Sequence, residues 1–267
     1  MDKRYNEDRL WYNSYTNIYR MMELRNYNSE DRIISFNEFR GLRDQWIKSR
    51  LDPIIRFDKN LKSDVNGQLI LEVHAPVTYI YFAGTKVNKD VFESISSFLE
   101  SKRLEFNPPE QQFVGRRAIN VHAIIITESI VSQTTSKLSA MEPTLTTRAD
   151  RDITIATKSI KLIFLADLQY NPLEHAMQPK FRLISDELEK ERLRLRLVKH
   201  SQEKNKTLFD LLPLMYDTDP VSIWYDAQIG DVFYCLRSIG GITPYYRIVV
   251  PATGRPQDIK GKKDKKK

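Results

Sequence analysis

The stretch that decides the fold runs from Asp219-Pro220-Val221 through Trp224-Tyr225 and Gly230-Asp231 to Val232-Phe233-Tyr234-Cys235-Leu236-Arg237. It closes on Tyr245-Tyr246-Arg247-Ile248-Val249-Val250. Asp219 is placed to cap a short helix, and Pro220 sits at its first position, where a missing amide costs nothing. Trp224 and Tyr225 supply inward-facing bulk. Residues 232–237 and 245–250 are dense in β-branched and aromatic side chains and read as strands, joined across Gly240-Gly241 and Pro244. Gly230 marks a turn.

Working upstream, Leu208–Leu214 leads into this unit after a loop at Lys204–Lys206. Ser185-Asp186-Glu187-Leu188-Glu189 opens a helix whose first turn is acidic, while Arg192, Arg194, Arg196 and Lys199 fill its later turns, an order that complements the helix dipole. Leu193, Leu195 and Leu197 alternate, so periodicity alone is ambiguous there; the acidic start and the length select helix. Asn171-Pro172 is the break between domains.

Before that break the order is helix, helix, then strands and helices. Leu10, Trp11, Tyr15, Ile18, Tyr19 and Met22 form one apolar stripe. Ser35 and Glu38 make a capping-box pair before a helix from Phe36 to about Ile47, buried through Phe36, Phe39, Leu42 and Trp46. Ile54–Phe57, Gln68–His74 and Val77–Phe82 read as strands. Asn88 caps a helix whose apolar face is Val91, Phe92, Ile95, Phe98 and Leu99. Ala118–Thr127 is a strand with an apolar half suited to burial on both faces. Ser132–Met141 is expected as a short helix, 142–159 as a polar loop, and Ile160–Leu168 as a last strand. The sum is an α/β (α+β) protein of two domains, 1–170 with helices on a sheet and 171–250 smaller, followed by a basic tail, 251–267.

Composition narrows the classes. The chain has 267 residues, 41% hydrophobic, enough for a sizeable core. No apolar run reaches the roughly 18–20 residues of a membrane helix, and Met1–Tyr5 opens a polar stretch without a signal-peptide core. One cysteine, Cys235, excludes an internal disulfide framework and reads as a small core residue. Of the net charge of +7, residues 251–267 carry seven Lys/Arg against two Asp. The basic character therefore belongs mostly to a tail, and Lys262, Lys263, Lys265 and Lys266 there, with Arg116 and Arg117 before a strand, are the candidate nucleic-acid contacts.

No phosphate loop, dinucleotide fingerprint, nucleophile elbow or zincin motif is present. His74, His122, His175 and His200 lack ligand spacing, so no metal site is expected. Asp64 with Glu72-Val73-His74 faintly resembles a nuclease carboxylate pattern, but His74 stands where a charge-stabilising lysine is wanted. A turn aspartate and a strand glutamate explain those residues better.

The spacing of Leu212-Pro213, Asp219-Pro220-Val221, Trp224-Tyr225, Gly230-Asp231-Val232, Arg237-Ser238 and Tyr246-Arg247 resembles the assembly domain of the fifth common subunit of eukaryotic-type DNA-directed RNA polymerases, a family with an archaeal counterpart. His175 with Pro179-Lys180 matches that family's His-x-x-x-Pro-Lys. Arg9-Leu10-Trp11 and Phe36-x-x-Phe39 resemble, more weakly, the eukaryotic jaw domain, which the archaeal form lacks. Asp226 departs from the pattern, standing where the family has glycine, and Thr243 falls where a tyrosine is common. With the extra length at 101–117, at 142–159 and in the tail, these departures point to a divergent copy, encoded by a large nucleocytoplasmic DNA virus or by a protist.

The resemblance implies a non-catalytic polymerase subunit with no cofactor. Its C-terminal domain would dock on the largest subunit among the other core subunits, and its jaw would lie near downstream DNA in weak contact. It implies neither a membrane nor a small-molecule substrate. Asp219, Pro220, Tyr225, Gly230, Arg237, Tyr246 and Arg247 are the matching partner-interface candidates. Localisation would be nuclear, or the cytoplasmic virus factory and virion for a viral copy. A stand-alone nucleic-acid binder using the lysine tail is the alternative.

Overall fold

The computed structural model describes residues 3–48, 53–59, 62–63, 69–70, 77–84, 87–105, 121–128, 145–148, 153–156, 158–199, 206–237 and 243–252. They divide into two compact units, Met1–Tyr170 and Asn171–Lys267. The fold is mixed α/β, with a principal sheet in each unit.

In the first unit, α1 spans Lys3–Leu24. Its buried stripe is Trp11, Ser14, Tyr15, Ile18, Met21 and Met22. Leu10, expected inward, is 44% exposed, because it lies one position round the helix from the stripe that Trp11 sets. A two-residue strand β1 (Tyr27–Asn28) precedes α2 (Phe36–Lys48). The capping box is present: the Ser35 amide donates to Glu38 Oε2 at 2.8 Å, and the Glu38 amide donates to Ser35 Oγ at 3.3 Å. Phe39 is fully buried, whereas Leu42 faces outward. Between the two helices the Asp8 carboxylate accepts from Arg40 Nε at 3.0 Å and from Arg43.

Strands β2 (Ile55–Lys59), β3 (Lys62–Ser63), β4 (Leu69–Ile70) and β5 (Val77–Phe82) follow, then α3 (Lys89–Glu105) and β6 (Val121–Thr127). Asn88 Oδ1 accepts from the Val91 amide at 3.0 Å, fixing the start of α3. With β9 (Lys158–Phe164) the sheet order is β1-β2-β5-β6-β9, antiparallel on the β1 side and parallel from β5 to β9. Every residue of β5 is buried, as a central strand covered on both faces requires. Val91, Ile95 and Leu99 of α3 pack on Tyr79, Tyr81, Ala123 and Ile125. On the other face Trp11 and Trp46 meet Phe82 edge-on or tilted, and Tyr19 meets Phe57.

Two expectations about this unit change. Residues 145–148 and 153–156, read as loop, form an antiparallel pair, β7 with β8, in register Leu145↔Ala156 to Arg148↔Ile153. Their threonines and isoleucines are β-branched, a strand preference that outweighs the polarity used to read a loop. The strand after them, β9, spans Lys158–Phe164, and Leu165–Leu168 is a 3-10 turn instead of its continuation. The chain turns there because side chains of α1 take its carbonyls: Ser14 Oγ donates to Leu165 O at 3.2 Å and Asn17 Nδ2 to Leu168 O at 2.8 Å. The helix expected over 132–141 lies outside the described residues.

In the second unit, a 3-10 turn at Pro172–Glu174 precedes β10 (Lys180–Ile184), α4 (Glu187–Lys199), α5 (Leu208–Leu211), β11 (Leu214–Tyr216), α6 (Pro220–Tyr225), β12 (Val232–Arg237) and β13 (Thr243–Val250). The order is β10-β12-β13-β11, antiparallel except for β11 with β13. Pro244, expected in the connection, lies in β13 opposite Leu236. β11 pairs only with Ile248–Val250, so at Pro244 that side of β13 is an edge, and the absent amide breaks no ladder.

Both faces of this sheet are covered. Ile184, Val232, Ile248 and Val250 pack under Leu193 of α4 and Leu208 of α5. On the other face Phe233, Cys235, Val249 and Met215 pack under Val221 of α6 with Leu173. The alternating leucines of α4 resolve as a helix does: Leu193 is buried and Leu197 packs on the core, while Leu195 is exposed.

Candidate partner-docking site

The matching residues of the C-terminal unit do different jobs. Asp219 Oδ1 accepts from the Val221 amide at 2.9 Å and caps α6, with Pro220 at the first helical position. Tyr225 ends that helix; its ring meets Phe233 edge-on and its hydroxyl donates to Phe181 O at 2.9 Å, which ties α6 to β10. Burial raises the Tyr225 hydroxyl above its ordinary value, so it stays a donor. Gly230 has φ of +92°, a conformation L side chains rarely adopt, and its amide donates to Val249 O at 3.0 Å. Tyr246 is half-buried against Tyr234, ring centroids 5.4 Å apart. These five all serve the fold.

Arg237 and Arg247 are the exceptions. Strand alternation divides β13: Tyr246 faces the α4 side, and Tyr245 and Arg247 face the α6 side. Arg237 shares the face of Phe233 and Cys235 on β12. The result is a cleft of about 230 Å³ lined by Arg237, Tyr245, Arg247, Asp219, Phe181, Met215 and the segment Met177–Pro179. Both guanidinium carbons stand near the Tyr245 ring, Arg237 at 5.4 Å and Arg247 at 5.8 Å from its centroid. On the rim, His175 Nδ1 accepts from the Met177 amide at 3.2 Å, and the Gln178 amide donates to His175 O at 2.9 Å. That tight turn holds Met177 out at 66% exposure. His175 is thereby a turn-forming residue. Of the seven candidates, then, the structure brings Asp219, Arg237 and Arg247 into one cleft and leaves Tyr225 beneath the same face. Gly230 lies beside Phe209, and Tyr246 lies on the opposite face.

Asp226, the position where the family carries glycine, has φ of 56° and ψ of 36° at the end of α6. A left-handed helix terminus is where glycine is preferred, and aspartate tolerates it better than most residues. The departure is therefore a strained but permitted side chain at an ordinary helix stop.

Sequence reasoning missed one constellation. Lys190, on the sheet-facing side of α4, is buried; its ammonium donates to Asp231 Oδ1 at 2.9 Å and to Glu187 Oε1 at 3.0 Å. Asp231 Oδ2 also accepts from the Gln228 amide at 2.8 Å, so the pair fixes the turn before β12. Burial would lower the Lys190 pKa, but hydrogen bonds to Asp231 and Glu187 outweigh it and raise it. The signal was Lys190 at helical spacing with Leu193 and Leu197.

Cys235 is fully buried, and burial pushes its thiol up to about 11. No cluster of His, Cys, Asp or Glu able to hold a metal occurs among the described residues. His122 is a buried member of β6. The nuclease-like residues Asp64, Glu72 and His74, the candidate nucleic-acid contacts Arg116 and Arg117, and the tail lysines Lys262, Lys263, Lys265 and Lys266 lie outside the described residues. So does His200.

Residues 170–249 match the family model of the RNA polymerase Rpb5 C-terminal domain. The matched segment coincides with the second unit from its first turn to the penultimate residue of β13, so the C-terminal unit carries an Rpb5 C-terminal domain. The match supports an Rpb5-like RNA polymerase subunit. No curated protein matches the chain.

Proposed function

We propose that this chain docks on the largest subunit of a DNA-directed RNA polymerase through its C-terminal unit, and that residues 1–170 act as a jaw near downstream DNA. The observation that carries the reading is the match over 170–249 together with the cleft that Arg237 and Arg247 line. Five of the seven motif residues serve the fold, and these two arginines are left over for a partner. The aromatic cluster that Tyr15 of α1 forms with Phe39 and Trp46 of α2 supports a positioning role for the first unit, since such ring contacts hold the two helices together. Outside residues 251–267 the chain carries little net charge, so DNA contact by the jaw is weak and falls with salt. The divergence at Asp226 and Thr243 supports a viral copy, working in the virus factory; a cellular one works in the nucleus.

Affinity purification of the tagged full chain from its native host or infected cell, with mass spectrometry, tests this. Recovery of the two large catalytic subunits in comparable amounts is the expected result. Recovery of nucleic acid alone sinks the docking reading in favour of a stand-alone binder.

A further inference from the structure

We infer that the cleft of the C-terminal unit takes an acidic peptide segment, with a carboxylate held between Arg237 and Arg247 and a neighbouring apolar side chain against Met177 and Pro179. The inference rests on the docking reading and names the chemistry of the partner surface.

Three observations carry it. First, among the described residues neither Arg237 nor Arg247 has a carboxylate at ion-pair distance. Elsewhere in the unit Arg182 grips Glu189 with two nitrogens, at 2.7 and 3.2 Å, and Arg194 grips Glu191 at 2.7 and 2.8 Å. Arg247 is half-buried and Arg237 is exposed at the cleft mouth. A half-buried guanidinium with no carboxylate at ion-pair distance among the described residues carries a cost that an incoming carboxylate removes. Second, the Tyr245 ring lies near both guanidinium groups, which cuts the ordering cost of a two-armed grip on a planar anion. Third, the cleft is not uniformly cationic. Asp219 lines it, with one oxygen committed to the Val221 amide, and Phe181, Met177 and Pro179 give it an apolar side. A polyphosphate backbone would carry several anions past that carboxylate and gain nothing from the apolar rim. An acidic-apolar peptide places one carboxylate and uses the rim. The space is also below the roughly 300–1,000 Å³ of small-molecule sites and suits one or two side chains.

The test is a titration of the full-length, isotope-labelled chain with a synthetic hexapeptide of alternating glutamate and leucine, followed by NMR at the arginine Nε–H groups and the Met177 methyl. The same-length glutamine–leucine peptide and a twelve-residue oligothymidylate are titrated in parallel. Saturable shifts at Arg237, Arg247 and Met177 with the glutamate peptide alone are expected, with affinity lowered at least about tenfold in R237Q/R247Q. R237K/R247K, which keeps charge but loses the fork, should fall between. Equal response to the glutamine peptide, stronger response to the oligonucleotide at these residues, or no response would overturn the inference. Co-purification separates it from the docking reading. If wild type and R237Q/R247Q recover the large subunits equally, the acidic-peptide cleft fails and the subunit reading stands. If wild type recovers none, the subunit reading fails whatever the peptide does.

Discussion

Lys190 and Asp231 lie forty-one positions apart in sequence and meet at 2.9 Å in the interior of the C-terminal unit. Each is nearly inaccessible, and Asp231 also holds the Gln228 amide. Removing one partner leaves a buried charge without compensation, a loss of about 3–5 kcal/mol in comparable sites. We expect Lys190→Met to destabilise the unit by about that much, and K190M/D231N to recover more than half, because asparagine still accepts from Gln228. Denaturant unfolding of the four proteins measures the coupling; strictly additive losses would refute it. The raised Lys190 pKa also sets a sign: its contribution is complete below the ordinary lysine value and is lost as pH rises through the folded value.

Asp226 provides a test of the helix stop. At φ of 56° a β-branched side chain is more strained than aspartate, and glycine is relaxed. Asp226→Gly should be at least as stable as wild type, by up to about 1 kcal/mol, and Asp226→Val less stable by at least about 1 kcal/mol. Thermal melts that rank valine above glycine would contradict the left-handed assignment.

Acid should act on the first unit through Asp8. Burial tends to raise this carboxyl, but hydrogen bonds from Arg43 and Arg40 outweigh it, so it titrates below its ordinary value. A depressed folded pKa means stability that is present above the unfolded value near 4 and disappears as pH falls through the folded one. Asp8→Asn should cost about 2 kcal/mol at neutral pH and should flatten the decline in melting temperature between about pH 5 and pH 3. An unchanged acid profile in this variant would remove Asp8 from the account.

Cys235 should be chemically silent in the folded protein. A thiol pushed up to about 11 and fully buried offers almost no thiolate at pH 8 and no path for a reagent. Modification by a charged disulfide reagent is expected to be at least about a hundredfold slower in buffer than in denaturant. Comparable rates would mean that the β12–β13 face opens freely.

What could be read from the sequence was what neighbours in sequence decide. Ser35 with Glu38, Asn88 before α3, Asp219-Pro220 and Gly230 all act within a few residues, and each sits in the structure as its local chemistry requires. What escaped depends on distant partners. The turn at Leu165–Leu168 exists because Ser14 and Asn17, about 150 positions earlier, claim its carbonyls. The parallel seat of β11 beside β13 has no local marker. The division of the motif residues between fold and cleft was readable in part. Arg237, Tyr245 and Arg247 carry odd numbers on two antiparallel strands registered Cys235↔Tyr245, and Tyr246 is even, so alternation alone separates them.

The position of β13 has a bearing on how the protein is made. This strand comes last in the chain among the described elements, yet it runs through the middle of its sheet, touching β12 on one side and β11 on the other. A nascent chain that has not yet delivered Thr243–Val250 therefore leaves β11 without a neighbouring strand and β12 paired on one side only, by β10, and lacks Ile248, Val249 and Val250 from the two hydrophobic layers. Folding of this unit must wait until Thr243–Val250 has been synthesised, and a product terminated before it presents unpaired strand edges and bare aliphatic surface to chaperones and proteases. Only a chain translated through residue 250 can complete the core of the C-terminal unit.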